Sequence, residues 1–364
     1  MYPFFQRYLF RLEPEKAHGL TLAALRMAGS FAPARWMLQA MYAAPSKPVH
    51  AFGLDFRNPV GLAAGYDKDG MAIPGLAALG FGHIEIGTVT PLPQPGNPQP
   101  RLFRLVEDEA IINRMGFPSR GSEHLQMRLN PQLKSDWIER VIGFSTRSKK
   151  RHSQTPERIS GKAILGVNIG KNKSTPNEQA VLDYLELLQV FAPYADYLTI
   201  NVSSPNTAGL RDLQGKQALE ALLTQLHSQR LLEQSRIKRR LPLLVKLAPD
   251  LSTAELNDAV DVILGTHMDG IIVTNTTLAR DGLRSSYRTE TGGLSGRPLA
   301  RLSESVLQDV VRRVNGAVPV VSVGGIMSPQ DARRRLDLGA ALVQIYTGLV
   351  YCGPGLVRDI VRVL

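Results

Sequence analysis

Eight short apolar runs in this 364-residue sequence each become polar or glycine-rich at their C-terminal end. The residues there are Lys68, Thr88, Asn168, Asn201 with Ser204, Lys246, Thr274 with Asn275, Gly324-Gly325, and Tyr346-Thr347. One such residue would mean little, because a polar side chain after a strand often caps the next helix. Eight in register mean a site. Capping does not explain Lys246, which stands between LLV and LAP inside an apolar strand. The residue types define the chemistry. Asn113, Asn168, Asn201, Asn206 and Asn275 offer donors and acceptors together, which suits a planar ring bearing C=O and N–H groups. Buried lysines suit a developing negative charge. The glycine turns VGGI (323–326) and YTG (346–348) present backbone N–H groups next to a helix start, a common cradle for phosphate. No His/Cys cluster or acidic cage for a metal is visible, and no Ser-His-Asp set can be ordered. The set calls for a phosphate-bearing cofactor, a small anionic heterocycle and no metal.

A scaffold must bring these ends together. Strands are predicted at 60–65, 83–90, 163–170, 197–204, 243–249, 270–276, 318–325 and 342–348. Helical patterns lie between most of them, at 176–192, 216–233, 252–264, 298–314 and 328–338. Ser252 with Glu255 forms a capping box, and Ser328-Pro329 puts proline at a first helical position. Eight strand-then-helix units in this length predict an α/β fold, a (β/α)8 TIM barrel whose site lies at the strands' C-terminal ends. The uncharged run 338–357 is long enough to raise the question of a membrane span. Its glycines, Gln344 and Pro354 make it a strand, a turn and a helix start instead.

The net charge of +11 leaves nucleic acid, an anionic membrane surface or an anionic ligand as partner classes. Residues 1–50 carry six Lys or Arg against two Glu, and residues 145–162 six against one, so nine of the eleven excess charges are peripheral. The one cysteine, Cys352, excludes an internal disulfide and a Cys-ligated metal. At the N-terminus, Arg7 and Arg11 interrupt the run from Tyr2 to Leu12, so it is not a signal peptide. Phe4, Phe5, Tyr8, Leu9 and Leu12 recur at helical spacing. Read alone, that stripe predicts a helix packed on the protein's own core, with an interfacial membrane helix as the other reading. Pro14 opens a second helix and Pro33 a third.

Long segments of this sequence resemble the dihydroorotate dehydrogenases. They are GLAAGYDKDG (61–70), EIGTVTPLPQPGNPQPRLFRL (85–105), INRMGF (112–117), GVNIGKNK (166–173), INVSSPNT (200–207), VKLAPDLS (245–252), TNTT (274–277) and GGLSGRPL (292–299). Serine in SSPNT and the N-terminal extension are similar to the membrane-associated, quinone-using class 2 enzymes; class 1 enzymes carry cysteine as the base. The resemblance implies that residues 1–45 form a helical extension for membrane association and quinone access. Residues 46–364 would form the FMN-binding barrel, with a basic insertion at about 118–162.

Carried onto this sequence, the resemblance implies FMN held by Ala64, Gly65, Tyr66, Asp67, Lys68, Thr88, Asn168, Asn201, Lys246, Thr274, Gly296, Gly325, Tyr346 and Thr347. Dihydroorotate would be bound by Lys68, Asn113, Asn201, Asn206, Asn275 and Thr276, with Asn113, Arg114, Met115, Gly116 and Phe117 closing one side. Ser204 would take the C5 proton while C6 delivers hydride to the flavin. A serine is a poor base unless it passes its own proton on, to water or to a neighbour such as Thr207. The implied activity is oxidation of (S)-dihydroorotate to orotate in pyrimidine biosynthesis, with a ubiquinone-type quinone as acceptor. The protein would sit peripherally on the cytoplasmic face of the inner membrane and bind no nucleic acid; no transit peptide supports a mitochondrial location.

Two departures stand out. The loop that usually reads NTPGL is NTAGL here, with Ala208 for proline, and segment 118–162 is longer than the family leads one to expect. The rival readings are another FMN barrel reductase, such as a tRNA dihydrouridine synthase, and a non-catalytic peripheral membrane protein. The first would carry a catalytic cysteine after a strand and an RNA-binding helical domain. The second would not need Lys68, Ser204 and Lys246 together.

Overall fold

The structure is a computed structural model that describes residues 2–130 and 163–364. The basic stretch 145–162 lies outside the described residues. Three helices open the chain: α1 (Tyr2–Leu9), α2 (Pro14–Ser30) and α3 (Ala32–Tyr42). The strands follow as β1 (Val49–Ala51), β2 (Leu54–Phe56), β3 (Val60–Leu62), β4 (His83–Val89), β5 (Leu102–Leu105), β6 (Ala110–Asn113) and β7 (Ile164–Ile169). The rest are β8 (Tyr197–Asn201), β9 (Leu243–Leu247), β10 (Gly270–Val273), β11 (Gly293–Gly296), β12 (Val320–Val323) and β13 (Leu342–Ile345).

The predicted barrel is present. Strands β3, β4, β7, β8, β9, β10, β12 and β13 pair in parallel around a closed ring. All their residues are buried, which is why each reads as an unbroken apolar run and not as an alternation. Every predicted strand is found, but each ends one to three residues earlier than its apolar pattern. Thr88, Asn168, Asn201 and Lys246 are still within the last residues of their strands, whereas Lys68, Ser204, Thr274, Asn275, Gly324, Gly325, Tyr346 and Thr347 lie beyond the strand ends, in the segments that build the barrel's upper face.

The lower mouth is closed by a hairpin of β1 and β2 that the sequence reading did not foresee. Phe52 and Phe56 on it pack with Ile164, Tyr197, Leu244 and Ile272 inside the barrel. The His83 ring lies flat on Gly61, where a Cβ would come within 2.0 Å of it. Burial pushes His83 down to about 3, so it is a neutral filler here. Above the upper mouth, β5, β6 and β11 form an antiparallel sheet, also unforeseen.

The N-terminal helices start at the predicted prolines. α2 crosses the helix Ile73–Ala78 through a glycine pair: a Cβ on Gly29 would lie 2.4 Å from the Gly75 nitrogen. α1 is tied to the body by Tyr2 Oη donating to the Val350 carbonyl (2.5 Å) and Gln6 Nε2 to the Tyr351 carbonyl (2.9 Å). The expectation that its aromatic stripe packs on the protein's own core is overturned. Phe4 and Tyr8 are exposed, Phe5 and Leu9 only edge the cavity between the helices and the barrel, and α1 has no buried residue; Gln6 and Tyr2 provide its hydrogen-bonded anchors. No described helix is long and apolar enough to cross a membrane.

Candidate active site

One cavity at the strands' C-terminal ends gathers residues from seven of the eight barrel strands or the loops that follow them; β7 contributes none. It is lined by Ala64, Gly65, Lys68, Thr88, Asn113, Met115, Gly116, Phe117, Asn201, Ser204, Asn206, Lys246, Thr274, Asn275, Thr276, Gly296, Gly325, Tyr346 and Thr347. Four predicted site residues do not line it. Arg114 stacks over Phe103 (4.5 Å) and pairs with Glu290 (2.5 Å) behind the sheet. Tyr66 faces a neighbouring apolar cavity. Asp67 spends both carboxylate oxygens on the N–H groups of Met71 and Ala72, 2.7 Å each, and so fixes the turn into the helix Ile73–Ala78. Asn168 lies in the barrel's interior, bonded to Thr88 and to Glu85.

The floor is polar and closely bonded. Thr88 Oγ1 donates to Asn168 Oδ1 (2.6 Å), and Asn201 Nδ2 donates to both Thr88 Oγ1 and Asn168 Oδ1 (3.0 Å each). Lys246, opposite Asn201 in the β8–β9 register, is buried beside them. Burial pulls its pKa down, and the Glu85 carboxylate opposes that. Gln344, which the sequence reading missed, donates to Glu85 (2.9 Å) and leaves its own oxygen unpartnered at the cavity floor.

The loop after β8 carries Ser204, 5% exposed, whose Oγ accepts the Asn206 N–H (3.3 Å). Asn206 Nδ2 reaches across to Asn113 Oδ1 (3.2 Å). Asn97 donates to the carbonyls of Arg114 and Asn206 (3.0 and 3.1 Å), so it joins the two walls from outside. Arg211 clamps the base of the same loop: it donates to the carbonyls of Ser203 (3.1 Å) and Thr276 (2.9 Å) and pairs with Asp250 (2.7 Å). Asn97 sits in a loop and Arg211 in the short 3-10 helix Leu210–Gln214, neither with a periodicity, so no sequence signal marked them.

At the far wall, Gly324 and Gly325 both have positive φ (111° and 74°). A Cβ on Gly325 would lie 2.3 Å from Ala300 Cα, so only glycine lets the turn sit this close to the start of the helix Ala300–Val314, which precedes β12. Behind the turn is Arg335, fully buried, donating to Ser303 Oγ (2.8 Å) and to the carbonyls of Ala300 (2.9 Å) and Gly324 (3.0 Å). Burial pushes it down to about 10. It lies in the run RRR (333–335), and nothing in that run says which arginine turns inward.

Lys68 stands at the opposite wall with Nζ donating to the Gly65 carbonyl (2.6 Å). Burial pushes it down to about 8, with Glu15 and Asp69 opposing. Glu15 and His18 of α2 also line this cavity. Burial, aided by Lys68, pushes His18 down to about 4. A second, mostly apolar cavity lies between the N-terminal helices and the barrel, lined by Phe5, Leu9, Leu25, Leu38, Leu349 and Val350 among others. His18, Leu102, Ile111 and Tyr346 line both cavities, so the two meet wall to wall.

The donor set suits a flavin. Thr274 Oγ1 is buried at the cavity without a partner, as is Gln344 Oε1, so both have hydrogen-bonding capacity left for a bound ring. Comparison with known proteins agrees. The dihydroorotate dehydrogenase family model matches residues 47–364. The chain is 46% identical to the dihydroorotate dehydrogenase (quinone) of Idiomarina loihiensis over 361 residues, covering 99% of both chains. It is 45% identical to that of Halorhodospira halophila over 363 residues, covering 100% of this chain and 97% of that one. Among solved structures, DHODH from Eimeria tenella in complex with ferulenol is similar, with a TM-score of 0.77 and 39% identity. That match covers 96% of this chain and 90% of that one.

Proposed function

The chain belongs to the dihydroorotate dehydrogenase family, in its quinone-dependent class, and from that membership we propose that it oxidises (S)-dihydroorotate to orotate in pyrimidine biosynthesis, with a quinone as electron acceptor. The observation that carries the reading is the convergence of Lys68, four amides and Ser204 on one cavity. Asn113, Asn201, Asn206 and Asn275 offer alternating donors and acceptors to the substrate's C=O and N–H edges. The Lys68 ammonium neutralises its carboxylate. Ser204 takes the C5 proton, and Thr207, buried with its hydroxyl unpartnered, is available to pass that proton on. Asn113 to Phe117 on one side and the 203–207 loop on the other keep water from the reacting carbons.

FMN is the flavin we assign to the site. When bound, it would supply the hydride-accepting and electron-passing chemistry between substrate and quinone that the side chains cannot. Of the residues lining the cavity, Gly296, Gly325 and Thr347 would hold its phosphate, and Ala64, Gly65, Thr88, Asn201, Lys246 and Thr274 would hold the ring. The Lys246 ammonium would balance negative charge on the reduced ring. Tyr66, Asp67 and Asn168 then support the site from behind.

Residues 1–45 form the quinone-access unit in this reading, and the protein is peripheral on the cytoplasmic face of the membrane. The apolar cavity beneath α1–α3 is the quinone's route to the Tyr346 wall. Outside it, Phe4 (60% exposed), Met27, Phe31 and Trp36 (71% exposed) make an apolar face with Arg7, Arg11 and Arg35 nearby in sequence. That composition suits the boundary between headgroups and acyl chains. The test is steady-state turnover of the FMN-loaded protein with dihydroorotate and a short-chain ubiquinone analogue. Orotate formed in step with quinone reduction supports the reading; reduction of NAD+ or fumarate in place of the quinone contradicts it.

A further inference from the structure

Beneath the cavity is an acid that touches neither cavity nor solvent, although four side chains donate to it. Glu85 on β4 is 0% exposed. One of its oxygens accepts Asn168 Nδ2 (2.8 Å); the other accepts Tyr197 Oη (3.1 Å), Thr199 Oγ1 (3.1 Å) and Gln344 Nε2 (2.9 Å). An ionised carboxylate can only accept. The nitrogen of Asn168 is therefore committed to Glu85, and its oxygen must face Thr88 and Asn201. That orientation matches Asn201, whose nitrogen faces Asn168 and whose oxygen accepts Ser203 Oγ (3.0 Å) and Asn275 Nδ2 (3.4 Å). Asn275 Nδ2 also donates to Ser203 Oγ (2.9 Å). The backbone N–H groups of Ser203 and Thr276 hold the oxygens of Asn201 (3.3 Å) and Asn275 (2.8 Å), so those two amides are oriented by the chain itself. Asn168 has no such backbone donor among these bonds, and it faces Asn201 with its oxygen because the group at the head of the relay cannot donate. The relay ends at Asn275, on the cavity wall, and at Ser203, the neighbour of Ser204.

We propose that Glu85 is a positioning residue of the active site: its acceptor-only carboxylate holds Asn168 in the one orientation that offers an acceptor to Asn201, and so keeps the Asn201–Asn275 wall seated for the substrate. The proposal rests on the reading of the cavity as the flavin and dihydroorotate site. The same carboxylate opposes the lowering that burial imposes on the Lys246 pKa.

Glu85→Gln keeps the shape and removes the acceptor. With its oxygen left among the three donors, its NH2 group meets the nitrogen of Asn168; turning Asn168 over only moves the clash to the nitrogen of Asn201, which the Ser203 N–H holds in place, so Asn201 is pushed from its seat. Glu85→Asp shortens the side chain but keeps a carboxylate. A merely steric role ranks the glutamine variant above the aspartate; a positioning role reverses that order. The probe is orotate binding to the FMN-loaded full-length protein, read from the flavin absorbance, alongside FMN content and circular dichroism. Glu85→Gln is expected to weaken orotate at least about tenfold, the scale of one inverted buried hydrogen bond. Glu85→Asp is expected to stay within about threefold, since its acceptor is kept. The double variant Glu85→Gln with Asn168→Asp restores acceptors toward Thr88 and Asn201 and should recover most of the loss. Orotate bound as tightly by Glu85→Gln as by the unaltered protein, or the aspartate ranking below the glutamine, overturns the proposal. If Glu85→Gln fails to load FMN, the double variant decides: binding orotate supports the relay, and failing to bind it overturns the relay. Failure of the unaltered protein to bind FMN and orotate would instead refute the site reading on which this rests.

Discussion

Inside the barrel, Glu85, Asn168, Thr88, Asn201 and Asn275 satisfy one another's hydrogen bonds, whereas α1–α3 leave Phe4, Phe5, Met27, Phe31 and Trp36 uncovered. The two regions meet at the wall of His18 and Tyr346 but solve different problems. A site that manages developing charge needs polar groups fixed before the substrate arrives, so its network is closed and buried. A route for a lipid-soluble partner needs apolar surface that is not already used up. Exposing it costs about 25 cal/mol per Å2 in water, which a membrane or quinone would return. The barrel's polar groups are thus held in place beforehand, and in the proposed reading the extension's uncovered side chains are where a membrane or quinone would add contacts.

That contrast can be broken or sharpened by changes that should fall on one region alone. The largest effect belongs to Ser204→Ala: flavin reduction by dihydroorotate should slow by about a thousandfold, as for loss of a general base, with FMN content unchanged. Rapid mixing without oxygen reads it, and an unaffected rate clears Ser204 of the role. Next, the paired change Phe4→Asp with Trp36→Asp should cut binding to anionic vesicles by about a hundredfold, from burial of about 1.5–3 kcal/mol per side chain. Flavin reduction should not move; if it does, the two regions are not separable in this way. Lys68 provides a smaller, graded effect. Its folded pKa of about 8 lies below the ordinary value, so the ammonium is present below pH 8 and lost as pH rises through it. Orotate affinity should therefore fall by up to about tenfold per pH unit above 8, and a Lys68→Met variant should be weak and flat with pH. The smallest effect is expected at the junction. Arg101 pairs with Glu15 (2.7 Å) and donates to the carbonyl of Asn97 (2.9 Å), linking α2 to the residue that joins the cavity walls. Arg101→Met should destabilise by about 1–2 kcal/mol and raise the quinone KM severalfold, with little change in flavin reduction.

The barrel was legible in the sequence because parallel strands buried on both faces leave long apolar runs, and because their polar ends coincide with the site. Lys246 was conspicuous for the same reason. Glu85 was not singled out, although it stands in HIEIGTV just as Lys246 stands in LLVKL. Its meaning depends on four donors from β7, β8 and β13, and no local pattern encodes them. Arg211 and Arg335 were hidden similarly, since an arginine in a loop or a polar helix looks solvated until its partners are known. The hairpin Val49–Phe56 and the sheet of β5, β6 and β11 were missed because their strands have three or four residues, too few to show a period. On α1 the pattern was seen but its direction was not: a stripe on a helix does not say whether the apolar medium is the core or something outside.

The central claim is that one cavity binds a flavin and delivers dihydroorotate to it through Lys68, the amides and Ser204. The most direct measurement is the visible spectrum of the FMN-loaded protein before and after anaerobic addition of dihydroorotate. The expected result is a yellow protein that dihydroorotate bleaches and that a ubiquinone analogue recolours. A protein that stays colourless after incubation with FMN, or a yellow one that dihydroorotate leaves unchanged, would contradict it.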